Sequence, residues 1–123
     1  MTKAYTDLEQ SKRLAEILSL DSADCYWSYD SLQGFHRIEW FEDGYNKLSQ
    51  LGEKGIPCWS LAALLNVLPK PTKRIYELNI YGDEKPFFGL NDCDMNIHKG
   101  FEGDDYVDAC VNMIVYIHET LDI

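Results

Sequence analysis

Basic residues are scarce in this chain, which carries 11 Lys and Arg against 21 Asp and Glu for a formal net charge of −10. A surface of this sign repels phosphate backbones at ordinary ionic strength. We therefore expect no direct binding of nucleic acid. The same charge favours an alternative, a nucleic-acid mimic. A dispersed acidic surface can resemble nucleic acid and so inhibit a DNA-binding partner.

Long apolar runs are also lacking. Residues 8–20 are interrupted by Lys12, Arg13 and Glu16, and the first nine residues are polar, which is not the pattern of a signal peptide. The longest apolar run falls well short of the about 20 residues that a membrane helix needs. We expect a cytoplasmic protein that does not enter a membrane.

Cysteines are few and scattered, at positions 25, 58, 93 and 110. In a reducing cytosol such isolated residues are more often buried thiols than disulfides. A loop with Cys93, Asp94 and His98, next to Asp92, offers donors to a metal ion, but its spacing is not that of a structural zinc site. We predict no metal and no cofactor.

A catalytic thiol is the remaining chemical candidate. Cys58 precedes a predicted helix, where its pKa would be lowered, and a histidine could serve as its base. However, Pro57 and Trp59 flank it in the most apolar part of the chain, where free cysteine behaves as a small buried hydrophobe. We predict no catalytic residue, and a small thiol- or metal-dependent enzyme remains an alternative.

The chain does have one apolar segment bounded by prolines, residues 56–69. Between Trp59 and Leu68 only Ser60 and Asn66 suit contact with water, which predicts a helix over 60–68 that is buried nearly all round. Ser60 is the predicted N-cap. Trp59 is expected to cover the first turn, with Cys58 as a buried thiol.

Two further helices flank this segment. The spacing of Thr6 and Glu9 predicts a capping box and a helix over 6–19. Asp104 or Asp105 is the predicted cap of a last helix over 105–119, whose broad apolar arc requires a sheet or two neighbours.

Strands are predicted from alternation and aromatic content. Residues 25–29 pair with 35–41, and residues 74–81, 87–90 and 95–101 form a meander. Trp40 shares the more apolar face of its strand with His36 and Ile38, so we expect it in the core or on a sheet face. The result is one α+β domain over residues 1–123, with an antiparallel sheet of about four or five strands and three helices in a single layer packed on one face.

Aromatic residues are concentrated in the first strand pair. If part of this set is exposed it forms a partner surface, since Tyr and Trp are enriched at binding hot spots; the alternative is that these residues are core. The predicted surface consists of Tyr26, Trp27, Tyr29, Phe35, Trp40 and Phe41.

Three stretches carry a family resemblance: residues 56–69, residues 108–114 running on to His118 and Glu119, and residues 22–24. They resemble a group of small uncharacterised proteins from phages and mobile elements of anaerobic gut bacteria. That group has no established activity or ligand, so the resemblance implies a genomic setting alone, in which small acidic proteins often bind other proteins.

These observations favour a non-catalytic cytoplasmic protein-binding or regulatory module that uses exposed sheet aromatics. Its expected partner is another protein or a second copy of the chain. The two alternatives are the acidic nucleic-acid mimic and the small thiol- or metal-dependent enzyme.

Overall fold

The computed structural model describes residues 3–68, 74–79, 87–92 and 97–121. The chain divides into two units, Tyr5–Asn66 and Met1–Ala4 with Val67–Ile123. The described strands form two antiparallel sheets of three strands each, accompanied by four α-helices. The α+β class is confirmed, whereas the single sheet of four or five strands with one layer of three helices is not. A single domain over residues 1–123 stays a prediction.

The first unit begins with helix α1 (Leu8–Ala15). Its N-cap is Asp7, whose carboxylate accepts from the Gln10 amide at 2.8 Å while the Gln10 side chain accepts from the Asp7 amide at 3.0 Å. The capping box therefore lies one residue beyond the predicted pair of Thr6 and Glu9, because the Thr6 side chain is fully buried and bonded elsewhere.

The predicted end of this helix, at residue 19, is also wrong. The helix stops at Ala15, and the amides of Ile17 and Leu18 both donate to the carbonyl of Leu14, at 2.9 and 2.7 Å. The bond from Ile17 spans three residues, as in a 3₁₀ helix, so the last turn is tighter than an α-helical one. Bonds of this kind satisfy carbonyls at the end of a helix. A short 3₁₀ helix, Leu20–Ser22, follows it.

The sheet of this unit consists of β1 (Cys25–Asp30), β2 (Phe35–Trp40) and β3 (Ile56–Cys58), in the order β2-β1-β3. The antiparallel pairing of β1 with β2 confirms the predicted strand pair. The sequence predicted β3 as an extended lead-in and not as a strand. Pro57, which lacks an amide proton, is tolerated there because β3 lies at an edge of the sheet.

Two short helices complete the unit, α2 (Lys47–Leu51) and α3 (Leu61–Val67). Ser60 caps α3 as predicted, since its hydroxyl accepts from the Ala63 amide at 3.2 Å. The helix is not buried all round, however. Leu64 is fully buried, whereas Leu65 is 42% exposed, so α3 packs by one face.

The second unit has the predicted meander, formed by β4 (Arg74–Asn79), β5 (Phe87–Asp92) and β6 (Ile97–Glu102) in that order. Phe88 and Phe101 oppose each other across β5 and β6, and both are buried. Helix α4 (Tyr106–Leu121) contacts β5 and β6. Gly103 passes so close to its first turn that a Cβ there would lie 2.6 Å from the Ala109 amide nitrogen.

The apolar arc predicted for the last helix is confirmed. Asp105 caps α4 by accepting from the Asp108 amide at 2.9 Å. The buried side chains of the helix are Val107, Ala109, Cys110, Val111, Met113, Ile114 and Ile117. Within the described residues, none of the helices has both the length and the apolar character required to cross a membrane.

Candidate partner-binding surface

The first sheet distributes its aromatic side chains over two faces. Directly opposed residues of antiparallel strands share a face, and the faces alternate along each strand. By the register of β1 and β2, one face carries Trp27, Tyr29 and Trp40, and the other carries Tyr26 and Phe35. The predicted partner surface is therefore not one continuous cluster.

On the first of these faces, the ring of Tyr5 packs edge-on against two tryptophans. Its centroid lies 5.8 Å from that of Trp27 and 6.5 Å from that of Trp40. The Trp27 indole donates to the Thr6 carbonyl at 3.3 Å and to the Ser11 hydroxyl at 3.2 Å. Trp40 is 53% exposed. Of the two positions predicted for Trp40, the core or a sheet face, the structure shows the sheet face.

The opposite face joins β1 to the segment that follows β2. Phe41 packs on Tyr26 with 4.7 Å between ring centroids, and the Lys47 ammonium lies 5.4 Å above the Phe41 ring. The same ammonium donates to the carbonyls of Asp21 and Ala23, at 2.7 and 2.6 Å. Lys47 therefore links α2 to the segment preceding β1 through these hydrogen bonds.

Strand β2 lies at the edge of this sheet and carries large exposed side chains at both ends. Phe35 is 46% exposed and Trp40 53% exposed. Between them, Arg37 and Glu39 form a solvent-exposed ion pair at 3.5 Å. An edge strand offers backbone donors and acceptors to another chain. No strand of the described residues pairs with the outer edge of β2, which also carries aromatic contact area.

A shallow depression of about 480 Å³ lies beyond the end of β2. The Gln50 side chain braces its wall by accepting from the Glu42 amide at 2.8 Å and donating to the carbonyls of Glu42 and Tyr45, each at 3.2 Å. The pKa of Tyr26 is raised by burial and by the charges of Glu39 and Glu42. The depression is lined by Tyr26, Glu42, Tyr45, Asn46, Ser49 and Gln50.

The other edge of the sheet contains a pair of buried thiols. Cys25 and Cys58 are directly opposed across β1 and β3, and both are fully buried free cysteines. Thr6 borders the pair, with its hydroxyl oxygen 3.4 Å from the Cys58 sulfur. The prediction of Cys58 as a buried thiol is confirmed, and its opposition to Cys25 was not foreseen because β3 was not predicted as a strand.

The two thiols have opposite tendencies to ionise. A hydrogen bond from Cys25 lowers the pKa of Cys58 to about 7, against the effect of burial and with the help of Thr6 and Ser11. The pKa of Cys25 is raised by its bond to Cys58, by burial and by the nearby charge of Asp24. The tendency to ionise is therefore greater at Cys58 than at Cys25, and both thiols are shielded from solvent.

The remaining chemical candidates do not assemble into a site in the described part of the chain. His36 packs against Tyr29 at 5.1 Å between ring centroids, while Cys93 and Asp94 lie outside the described residues. Across residues 3–68, 74–79, 87–92 and 97–121, no three His, Cys, Asp or Glu side chains are grouped as metal ligands.

Sequence reasoning missed the exposed side chains that follow β2. Tyr45 is 69% exposed and Leu48 67% exposed, just before and within α2. A helix of five residues is too short for periodicity to show which side chains face water.

Comparison with known proteins found no matching family model, no matching curated protein and no matching solved structure.

Proposed function

We propose that this chain is a non-catalytic protein-binding or regulatory module whose partner docks along β2. The observation that carries this proposal is the exposure of Trp40, 53% of which is accessible on an edge strand. Phe35, at the other end of the same strand, is 46% exposed. Aromatic side chains at both ends of β2 would flank a docked segment.

Physical reasons favour a protein as the partner. Tryptophan and tyrosine are enriched among the residues that contribute most binding free energy at protein interfaces. An extended partner segment can also add to an edge strand through main-chain hydrogen bonds. Burial of Trp40 against a partner would contribute about 25 cal/mol of favourable free energy for each Å² of apolar area removed from water.

The buried thiols support a non-catalytic role. Cys58 has the lowered pKa expected of a nucleophile, about 7, but it is 0% exposed. A nucleophile must contact its substrate. A cytoplasmic location, and the setting in a phage or mobile element that the resemblance implies, belong to the same proposal.

The proposal can be tested by capturing the partner from the source cell with the immobilised protein. The comparison is between the wild type, Trp40→Ser and Leu32→Ser, because Leu32 is 97% exposed in the turn after β1 and serves as a matched control. We expect a partner that the wild type and Leu32→Ser retain and Trp40→Ser loses. Equal retention or equal loss in both variants would contradict docking along β2.

A second candidate function is the acidic mimic of nucleic acid, which the net charge of −10 favours. Raising the salt concentration from about 50 to about 500 mM during capture separates the two, because surface electrostatics are screened at high ionic strength. A partner of a mimic would be released steeply across this range, whereas a partner held by β2 and Trp40 would remain bound.

A further inference from the structure

The depression beyond β2 has the composition of a site for a positively charged group. Two tyrosines, Tyr26 and Tyr45, supply aromatic rings, and Glu42 supplies a carboxylate. Cations bind favourably over aromatic faces and form strong hydrogen bonds with carboxylates. Its volume of about 480 Å³ is large enough to admit a long side chain.

The charges around the depression are mainly negative. Glu39 and Glu42 both act on Tyr26, and Asp43 follows directly in the exposed turn. Arg37 of β2 and Lys47 of α2 each have a partner elsewhere. Arg37 pairs with Glu39 at 3.5 Å, and Lys47 donates to two backbone carbonyls. Neither of these cations is paired with the Glu42 carboxylate, which in the described part of the chain can accept an incoming cation.

We propose that this depression binds a basic side chain, arginine or lysine, carried by the partner protein that docks along β2. The inference rests on the proposed function and adds the chemistry of the partner to it. Tyr26 opposes Glu39 of β2, and Glu42 follows the strand by two residues, so the depression adjoins the end of the docking edge.

The walls of the depression are held in place before any ligand arrives. The Gln50 side chain forms three hydrogen bonds with the backbone of Glu42 and Tyr45, one as acceptor and two as donor. The Asn46 carboxamide accepts from the Ser49 amide at 3.2 Å. A preorganised wall reduces the ordering cost of binding, which favours recognition of a single side chain.

The test uses a short fluorescein-labelled peptide of alternating arginine and glycine, with fluorescence anisotropy as the readout. The matched probe has citrulline in place of every arginine, which removes the charge and keeps the shape. We expect the arginine peptide to bind the wild type and the citrulline peptide to bind at least about tenfold more weakly.

Three variants locate the binding. Glu42→Gln should weaken binding of the arginine peptide about tenfold or more, because it removes a charge-assisted hydrogen bond. Tyr45→Ala should weaken it about threefold through loss of a cation–π contact. Glu9→Gln, an equal change of charge at an exposed position of α1, should weaken it less than about twofold.

Equal binding of the two peptides, or equal weakening by Glu42→Gln and Glu9→Gln, would overturn the proposal. Thermal melts check that each variant is folded. Glu42→Gln should remain so, because Glu42 bonds to Gln50 through its backbone. If the arginine peptide fails to bind while partner capture still depends on Trp40, the inference falls and the proposed function stands. If the peptide binds through Glu42 while capture is independent of Trp40, the cation site stands and the proposed function falls.

Discussion

The two edges of the first sheet differ sharply, although they share the central strand β1. At the β3 edge, Cys58 and Trp59 are fully buried, and α1 packs against the strand. At the β2 edge, Phe35 and Trp40 are about half exposed. One edge of this sheet therefore contributes to the core of its unit, and the other keeps large aromatic side chains accessible to solvent.

The closed edge is sealed by the segment that precedes α1. The Thr6 amide donates to the Trp59 carbonyl at 2.9 Å, and the Thr6 hydroxyl accepts from the Trp59 amide at 3.2 Å. Tyr5 forms a bridge with Ser60. This short pairing satisfies the backbone just beyond β3, and α1 packs against β3 itself.

The largest expected effect follows from truncating a tryptophan at each edge. Trp59→Ala should lower the free energy of unfolding by about 3–5 kcal/mol, because it empties a fully buried site and leaves the Ser22 hydroxyl without its indole donor. Trp40→Ala should cost less than about 1 kcal/mol. Urea unfolding measures both losses. Similar values would show that Trp40 is as important to the core as Trp59, contrary to the contrast between the two edges.

A second contrast lies within α3. Leu64→Ala should cost about 2–5 kcal/mol, since Leu64 is fully buried. Leu65→Ala should cost less than about 1 kcal/mol, because Leu65 is 42% exposed. The same unfolding measurement checks this pair, and a loss below about 1 kcal/mol at Leu64 would show that α3 contributes little to the core.

Thr6→Val tests the seal of the closed edge. The substitution keeps the shape of the side chain but removes the hydroxyl that bonds Ser11 at 2.7 Å and accepts from the Trp59 amide. Leaving these groups unsatisfied should cost about 1–3 kcal/mol. Ser28→Ala, on half-buried β1, is a control for loss of a hydroxyl, and an equal effect of both variants would count against the seal.

The smallest expected effect is a dependence of stability on pH. Because the pKa of Cys58 is lowered from 9.0 to about 7, the folded protein binds fewer protons than the unfolded chain between these values. Its free energy of unfolding should therefore rise from pH 7 to pH 8, by on the order of 1 kcal/mol. This contribution is lost as the pH falls through 7.

The raised pKa of Cys25 has the opposite effect on stability. It lowers the free energy of unfolding only as the pH rises above 9.0, the ordinary pKa of a thiol. Urea unfolding of the wild type and of Cys58→Ala over the same pH range provides the check. The variant should lose the rise in stability. If the rise in stability with pH persists in Cys58→Ala, it arises from another titrating group.

Local signals predicted much of this structure correctly. Aromatic alternation identified the pairing of β1 with β2, and the Ser60 and Asp105 side chains marked where α3 and α4 begin. These features depend on residues close together in sequence. The broad apolar arc of α4 likewise predicted a covered helix, and α4 packs on β5 and β6.

Features that depend on tertiary contacts were not predictable in the same way. Alternation placed Trp40 on a sheet face but gave no information on whether anything covers that face. Thr6 has the residue type and spacing of a helix cap, yet its hydroxyl bonds Ser11 and Trp59 instead. The strand β3 has three residues and contains Pro57, so no pattern within it indicates a strand.

The contrast between the two edges can be measured most directly by fluorine NMR of the protein labelled with 5-fluorotryptophan. The chain has three tryptophans, and single Trp→Phe variants assign their resonances. Exchange of H₂O for D₂O shifts a fluorine resonance in proportion to its exposure to solvent. Trp40 should show the largest shift, and fully buried Trp59 none. Equal shifts for Trp40 and Trp59, or a larger one for Trp59, would contradict an open β2 edge opposite a closed β3 edge.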